Sequence, residues 1–130
     1  MKVCVIGTGY VGIVTGASLA YLGNEVICVD IDREKVGKLK QGIPPIYEPG
    51  LGELMSQGIN DGNLSFTTEV EEGAGDAEVI YIAVGTPPSP DGTPDMSYVK
   101  AAARGIGRAI LSKFDKNLFR IVINKSTVPV

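Results

Sequence analysis

The sequence predicts an alternating α/β domain, a doubly wound parallel sheet in a three-layer α/β/α arrangement. Three observations carry this. Short apolar runs near residues 2–6, 25–29, 64–67, 79–84 and 119–124 read as strands. Helical patterns lie between them, so the strands pair through right-handed crossovers and run parallel. At the start, Val3-Cys4-Val5-Ile6-Gly7-Thr8-Gly9-Tyr10-Val11-Gly12 takes a strand through a glycine-rich turn directly into a helix.

The first strand spans about Lys2 to Ile6, and the turn after it has the spacing Gly-x-Gly-x-x-Gly. Such a turn leaves backbone N–H groups unpaired at a helix N-terminus, where the helix dipole adds partial positive charge, so it suits a pyrophosphate. Gly7 allows the tight turn, Gly9 lets the backbone approach the phosphates, and Gly12 lets the helix pack closely on the strand. The helix runs from about Tyr10 to Leu22 and stops at Gly23. Gly16 sits one turn beyond Gly12 on the same face; at a cost of roughly 1 kcal/mol against alanine, it implies tight packing on the sheet. The second strand, Glu25 to Val29, ends in Asp30, 18 positions after Gly12. An acid about 20 residues past the turn is where an adenine ribose is bound. Its carboxylate accepts from the 2′- and 3′-hydroxyls and repels a 2′-phosphate, which favours NAD over NADP. These features predict a Rossmann-type dinucleotide site. S-adenosylmethionine methyltransferases pair a glycine-rich turn with an acidic strand end too, so the two features alone leave the ligand open.

A helix follows from about Asp32 to Gln41, with Asp32 as N-cap. Pro44, Pro45 and Pro49 keep residues 42–51 from being helical as a whole, and a short helix is expected to begin at Pro49. Leu64 to Thr67 reads as a strand and Glu69 to Gly73 as one helical turn. The acids Glu69, Glu71, Glu72, Asp76 and Glu78 read as a solvated face. Val79 to Val84 is continuously apolar and is expected to be a central strand buried on both sides. It delivers Gly85-Thr86-Pro87-Pro88 to the carboxyl edge of the sheet, where open α/β sheets bind ligands. Thr86 is there a candidate hydroxyl donor to a cofactor phosphate or ribose. Ser89 to Pro94 is turn chemistry, and Asp95 can cap the next helix. That helix has an apolar face of Val99, Ala102, Ala103, Ile106, Ala109 and Ile110, opposite Lys100, Arg104 and Arg108. A fifth strand spans Phe119 to Asn124.

Composition limits the function. With 130 residues, 44% hydrophobic and 21% charged, the chain suits one globular domain. A net charge of −3 without a basic cluster argues against a nucleic-acid partner. No apolar run approaches the roughly 20 residues that span a membrane. Met1-Lys2-Val3 enters a strand at once and leaves no room for a signal peptide, so a cytoplasmic protein is expected. Cys4 and Cys28 lie inside strands and read as buried, inert core residues, with no metal-ligand spacing. There is no histidine, so a histidine base would have to come from elsewhere.

Five pieces now stand together: Gly-Thr-Gly-Tyr-Val-Gly at 7–12, Val-Asp-Ile-Asp-Arg-Glu-Lys at 29–35, Pro-Ile-Tyr-Glu-Pro-Gly-Leu at 45–51, Val-Gly-Thr-Pro at 84–87 and Lys-Ser-Thr-Val-Pro-Val at 125–130. In this order and covering the whole chain, they resemble the N-terminal part of the UDP-glucose 6-dehydrogenase family of nucleotide-sugar dehydrogenases. Methyltransferases have no reason to show the last three. The resemblance implies that the backbone at Tyr10, Val11 and Gly12 meets the NAD pyrophosphate. Asp30 and Lys35 would meet the adenosine end, and Thr86 would contact the cofactor from the fourth strand. Thr127 would lie near the nicotinamide and order a catalytic water. The family oxidises the C6 hydroxyl of UDP-glucose to a carboxylate with two NAD, holding the aldehyde-level carbon as a thiohemiacetal on a cysteine. Neither Cys4 nor Cys28 matches that cysteine. The resemblance thus implies a single truncated domain, short of the last helix and strand of the cofactor domain and of the substrate domain, and inactive alone. A homo-oligomer is implied only for the full-length enzyme. Two alternatives stay open: a GDP-mannose or UDP-N-acetyl-sugar dehydrogenase, and a stand-alone NAD-sensing module.

Overall fold

The glycine-punctuated apolar runs become five strands and five helices in a computed structural model that describes residues 1–129. In chain order they are β1 (Lys2–Ile6), α1 (Tyr10–Tyr21), β2 (Glu25–Val29), α2 (Arg33–Lys40), α3 (Leu51–Asn60), β3 (Leu64–Thr67), α4 (Val70–Ala74), β4 (Val79–Ile82), α5 (Ser97–Ser112) and β5 (Ile121–Asn124). All strand pairings are parallel and the sheet order is β3-β2-β1-β4-β5. The order reverses at β1, whose neighbours are β2 on one side and β4 on the other. This is the switch point where α/β sheets open a crevice at their carboxyl ends.

Strand alternation divides the core between two faces. Val3, Val5, Val26, Cys28, Leu64 and Phe66 join Ile13, Ala17, Leu39 and Met55 of α1, α2 and α3 on one face. Cys4, Ile6, Val29, Ile80 and Ile82 join Ala74, Ala102, Ile106 and Ala109 of α4 and α5 on the other. The expected reason for Gly16 holds: a Cβ there would come within 2.5 Å of the Cys28 sulfur and 3.7 Å of Val26. Asp32 caps α2 as expected, its carboxylate accepting from the Lys35 amide at 3.0 Å.

Several expectations need correction. The helix expected at Pro49 begins at Leu51 and runs ten residues, because Gly50 takes a left-handed conformation (φ 85°) at its N-cap and breaks the path from the proline. β4 ends at Ile82 and is not buried on both sides: Ile80 and Ile82 are buried, while Val79 and Tyr81 are half-buried. The face carrying Val79 and Tyr81 continues onto β5 as Ile121 and Ile123 by register, and Ile121 is 46% exposed. β5 itself starts two residues later than expected. Ala103 points outward and does not belong to the buried face of α5. The acids of residues 69–78 are mostly exposed, yet several have structural partners. Glu72 accepts from the Thr67 hydroxyl at 2.7 Å, Glu78 from the Lys2 amide at 2.8 Å, and Asp76 pairs with Lys113 at 3.0 Å.

Candidate functional site

At the switch point the ends of three strands surround a cavity of about 1270 Å³. Gly7, Thr8 and Gly9 line it from β1, Asp30 and Ile31 from β2, and Ala83, Val84 and Gly85 from β4. Thr68 to Glu72 and the α5 residues Tyr98, Ala101, Gly105 and Arg108 form the remaining wall.

The glycine turn is built by backbone sterics. Gly7 has φ 100°, and a Cβ there would collide with the carbonyl of Ala83. Its amide donates to the Val29 carbonyl at 2.8 Å, which fixes the turn to β2. A Cβ at Gly12 would overlap the Gly7 carbonyl oxygen, so Gly12 lets the turn close on itself as well as letting the helix approach the strand. Gly9 differs. A Cβ there meets nothing within 4 Å, which leaves open space against its backbone. The first helical bond of α1 runs from the Ile13 amide to the Gly9 carbonyl at 2.9 Å. The amides of Gly9, Tyr10, Val11 and Gly12 therefore precede the helical ladder and have no backbone acceptor among the described residues. Unpaired amides beside open space fit a diphosphate.

Asp30 faces the same cavity and is held tightly. Its Oδ2 accepts from the Thr8 amide at 3.0 Å, the Thr8 hydroxyl at 2.6 Å and Lys35 Nζ at 3.2 Å. Among the described residues, its Oδ1 accepts only from the Asp32 amide, at 3.1 Å. Desolvation is the largest single influence on this carboxyl and pushes its pKa up. The hydrogen bonds from Thr8 and Asp32 and the Lys35 charge together outweigh it and hold the group below the ordinary aspartate range. A carboxylate offers about four acceptor positions. With Oδ2 occupied, Oδ1 retains room for one further donor, so a second ribose hydroxyl would have to displace Lys35. The donor set thus fits a ribose diol with one hydroxyl on Oδ1 and the other near the Lys35 ammonium.

The structure brings Gly7, Gly9, Asp30 and Lys35 together around the cavity. Tyr10, Val11 and Gly12 follow Gly9 at the start of α1 and do not line the cavity themselves; the Tyr10 ring turns outward, and its hydroxyl donates to Glu48 at 3.2 Å. The Glu48 charge and this hydrogen bond raise the Tyr10 pKa. Thr86 is half-buried between two residues that line the cavity, Gly85 and Pro87, without lining it itself. Thr127 is exposed beyond β5 and outside the lining. Its neighbour Ser126 ties this segment to β4, donating from its hydroxyl to the Val84 carbonyl at 2.8 Å. Sequence reasoning missed Thr8, although a hydroxyl at the centre of the turn is a signal available in the sequence. It also missed the α5 wall, because Tyr98 and Arg108 lie ten positions apart and meet the site only through packing. Cys4 and Cys28 are wholly buried. Burial pushes the Cys4 thiol up to about 12 and the Cys28 thiol higher still.

The family model described as "UDP-glucose/GDP-mannose dehydrogenase family, NAD binding domain" matches residues 1–130. A UDP-glucose 6-dehydrogenase of Bacillus subtilis is 48% identical over 129 residues, 99% of this chain and 27% of that protein. Among solved structures, a UDP-glucose dehydrogenase from the hyperthermophilic archaeon Pyrobaculum islandicum superposes with a TM-score of 0.91 at 44% identity, covering 98% of this chain and 29% of that one. A GDP-mannose dehydrogenase from Pseudomonas aeruginosa, solved as a ternary complex, gives a TM-score of 0.92 at 40% identity over 98% of this chain and 29% of that one. The chain thus spans a little over a quarter of the length of the proteins it matches.

Proposed function

Because this chain belongs to the UDP-glucose/GDP-mannose dehydrogenase family, as its NAD-binding domain, we propose that it holds the NAD with which a longer enzyme oxidises the C6 hydroxyl of UDP-glucose to a carboxylate. The observation that carries the reading is that Gly7, Gly9 and Asp30 line one cavity at the sheet's switch point, next to the unpaired amides that open α1. The amides take the diphosphate, assisted by the α1 dipole. Asp30 Oδ1 accepts a ribose hydroxyl, and Lys35 steadies the same sugar. Thr86 contacts the cofactor from the end of β4, and Thr127 orders water near the nicotinamide. Bound NAD supplies the hydride acceptor; this chain's part is to orient it and exclude solvent from one side.

UDP-glucose is favoured over GDP-mannose because sequence identity is higher to dehydrogenases named for UDP-glucose, 48% against 38%. The thiol that carries the aldehyde-level carbon comes from the remaining length of the enzyme, together with the substrate domain. Cys4 and Cys28 are wholly buried in the sheet and unsuited to nucleophilic attack. Homo-oligomerisation and cytoplasmic residence belong to the full-length enzyme in this reading; among the described residues no helix is long and apolar enough to cross a membrane.

An NMR titration of the 130-residue chain with NAD tests the site. The amides of Gly9, Tyr10, Val11, Gly12 and Asp30 are expected to shift first, and saturable shifts confined to another surface would refute the site. Mixed with UDP-glucose and NAD, the isolated chain is expected to produce no NADH, and turnover would overturn the division of labour. Assays of the full-length enzyme on UDP-glucose, GDP-mannose and a UDP-N-acetyl sugar identify the substrate.

A further inference from the structure

Thr8 is wholly buried, yet it carries two polar donors, and both end on one oxygen of Asp30. Its amide would otherwise join the row of free amides in the glycine turn. We propose that Thr8 is a positioning residue of the dinucleotide site that locks the Asp30 carboxylate in place, so fixing the preference for NAD over NADP; this rests on the NAD reading above.

The geometry carries the argument. Oδ2 is held by the Thr8 amide at 3.0 Å and its hydroxyl at 2.6 Å, so the carboxyl plane cannot turn without breaking a short, charge-assisted bond. With the plane fixed, Oδ1 is the oxygen presented to a ribose hydroxyl, and the negative charge stands where a 2′-phosphate would sit. Lys35 lies 3.2 Å from the same Oδ2 and is the one cation in contact with the carboxylate among the described residues. Released from Thr8, the carboxylate keeps only the Asp32 amide on Oδ1 and Lys35 on Oδ2, and could turn toward Lys35 and away from the sugar, lessening the repulsion that a 2′-phosphate meets. The other charged groups lining the cavity are Glu69, Glu71 and Glu72 at the α4 side and Arg108 on α5. None of them is hydrogen-bonded to Asp30 among the described residues.

The test compares the 130-residue chain with Thr8→Val, which keeps shape and the amide bond but loses the hydroxyl, and Thr8→Ser, which restores a hydroxyl. Calorimetry with NAD and NADP gives the ratio of their affinities, and thermal melts show that each variant is folded. A lost bond to a charged acceptor corresponds to roughly a tenfold or greater loss. Thr8→Val is therefore expected to bind NAD about tenfold more weakly while NADP affinity holds or rises, and Thr8→Ser is expected to recover the wild-type ratio. Equal loss of both cofactors, or an unchanged ratio, would overturn the proposal and point to a merely structural threonine. In ligand-free protein, the Asp30 carboxyl carbon is expected to titrate at higher pH in Thr8→Val than in wild type or Thr8→Ser. An unchanged midpoint would overturn the lock itself, even if Thr8→Val failed to bind either cofactor. Wild-type protein that bound neither NAD nor NADP would refute the dinucleotide reading and with it the selectivity; the lock would still stand or fall on the titration.

Discussion

Gly9 and Gly12 lie three positions apart in one turn, yet a methyl group meets opposite fates at them. At Gly9 it enters open space, and φ −70° suits alanine as well as glycine. At Gly12 it overlaps the Gly7 carbonyl. Gly9→Ala is therefore expected to leave the melting temperature within a few degrees while weakening NAD binding about tenfold or more, by holding the diphosphate off the amides. Gly12→Ala is expected to cost about 3 kcal/mol of stability, the upper range for overpacking, whether or not ligand is present. Calorimetry and thermal melts on the two variants separate these outcomes. Asp30 allows a pH test at the same scale. Its pKa is depressed in the folded chain, so its contribution to stability is present above the unfolded aspartate value of about 3.9 and is lost as pH falls through the folded value. Asp30→Asn should thus be less stable than wild type at neutral pH, by roughly 1–3 kcal/mol for charge-assisted bonds. The two should converge in acid, as read from denaturant midpoints across pH.

Among the strands, β5 is the most exposed, and Arg120 anchors its entry. Arg120, just before it, donates from Nη1 to the Ala74 carbonyl and from Nη2 to the Lys113 carbonyl, both at 3.2 Å. One guanidinium thereby satisfies the carbonyls that close α4 and α5 while holding the entry to the strand. Arg120→Ala is expected to cost about 1–2 kcal/mol, for two bonds from a charged donor that is partly solvated. It should also speed hydrogen exchange at Ile121–Asn124 more than at β1 or β2; a uniform loss of protection would show that the arginine anchors nothing local. Nothing in the sequence announced this anchor, because it joins residues 46 and 7 positions apart through backbone carbonyls. The elements with their own local signals were legible: β1, β2 and β3 from apolar runs, α1 from its glycines, α2 from the Asp32 cap. The start of α3 was misplaced because Pro49 suits a first helical turn only if the next residue continues it, and Gly50 turns left-handed instead. The apolar run of β4 predicted two buried faces, but burial depends on which helices arrive, and Val79 and Tyr81 lie where α1 only partly covers the sheet. At the site, the glycines and Asp30 were legible because their spacing is local. The two Thr8 donors that hold Asp30 were not, since Thr8 and Asp30 meet only once β1 and β2 pair.

For the whole molecule, the position of the cavity matters more than any single contact. It lies where the order β3-β2-β1-β4-β5 reverses, so a ligand there touches the ends of β1, β2 and β4 together with α5. The apolar cores on the two sides of the sheet meet only through the strands, and the cavity mouth is where groups from both layers converge. A dinucleotide that binds the folded chain alone stabilises it by mass action, about 2.7 kcal/mol at a hundred times its dissociation constant. For a chain of this size that corresponds to a rise in melting temperature of roughly 10 °C. A ligand filling this cavity would bridge both halves of the sheet, so protection from hydrogen exchange is expected at Ala83–Gly85 and the first turn of α5 as well as at Gly7–Gly12. Protection limited to the glycine turn would mean that the phosphates dock there while the rest of the cofactor stays in solvent. A rise in melting temperature without any change at Ala83–Gly85 would then mark the β4 edge as a bystander, and the cavity would be half a site.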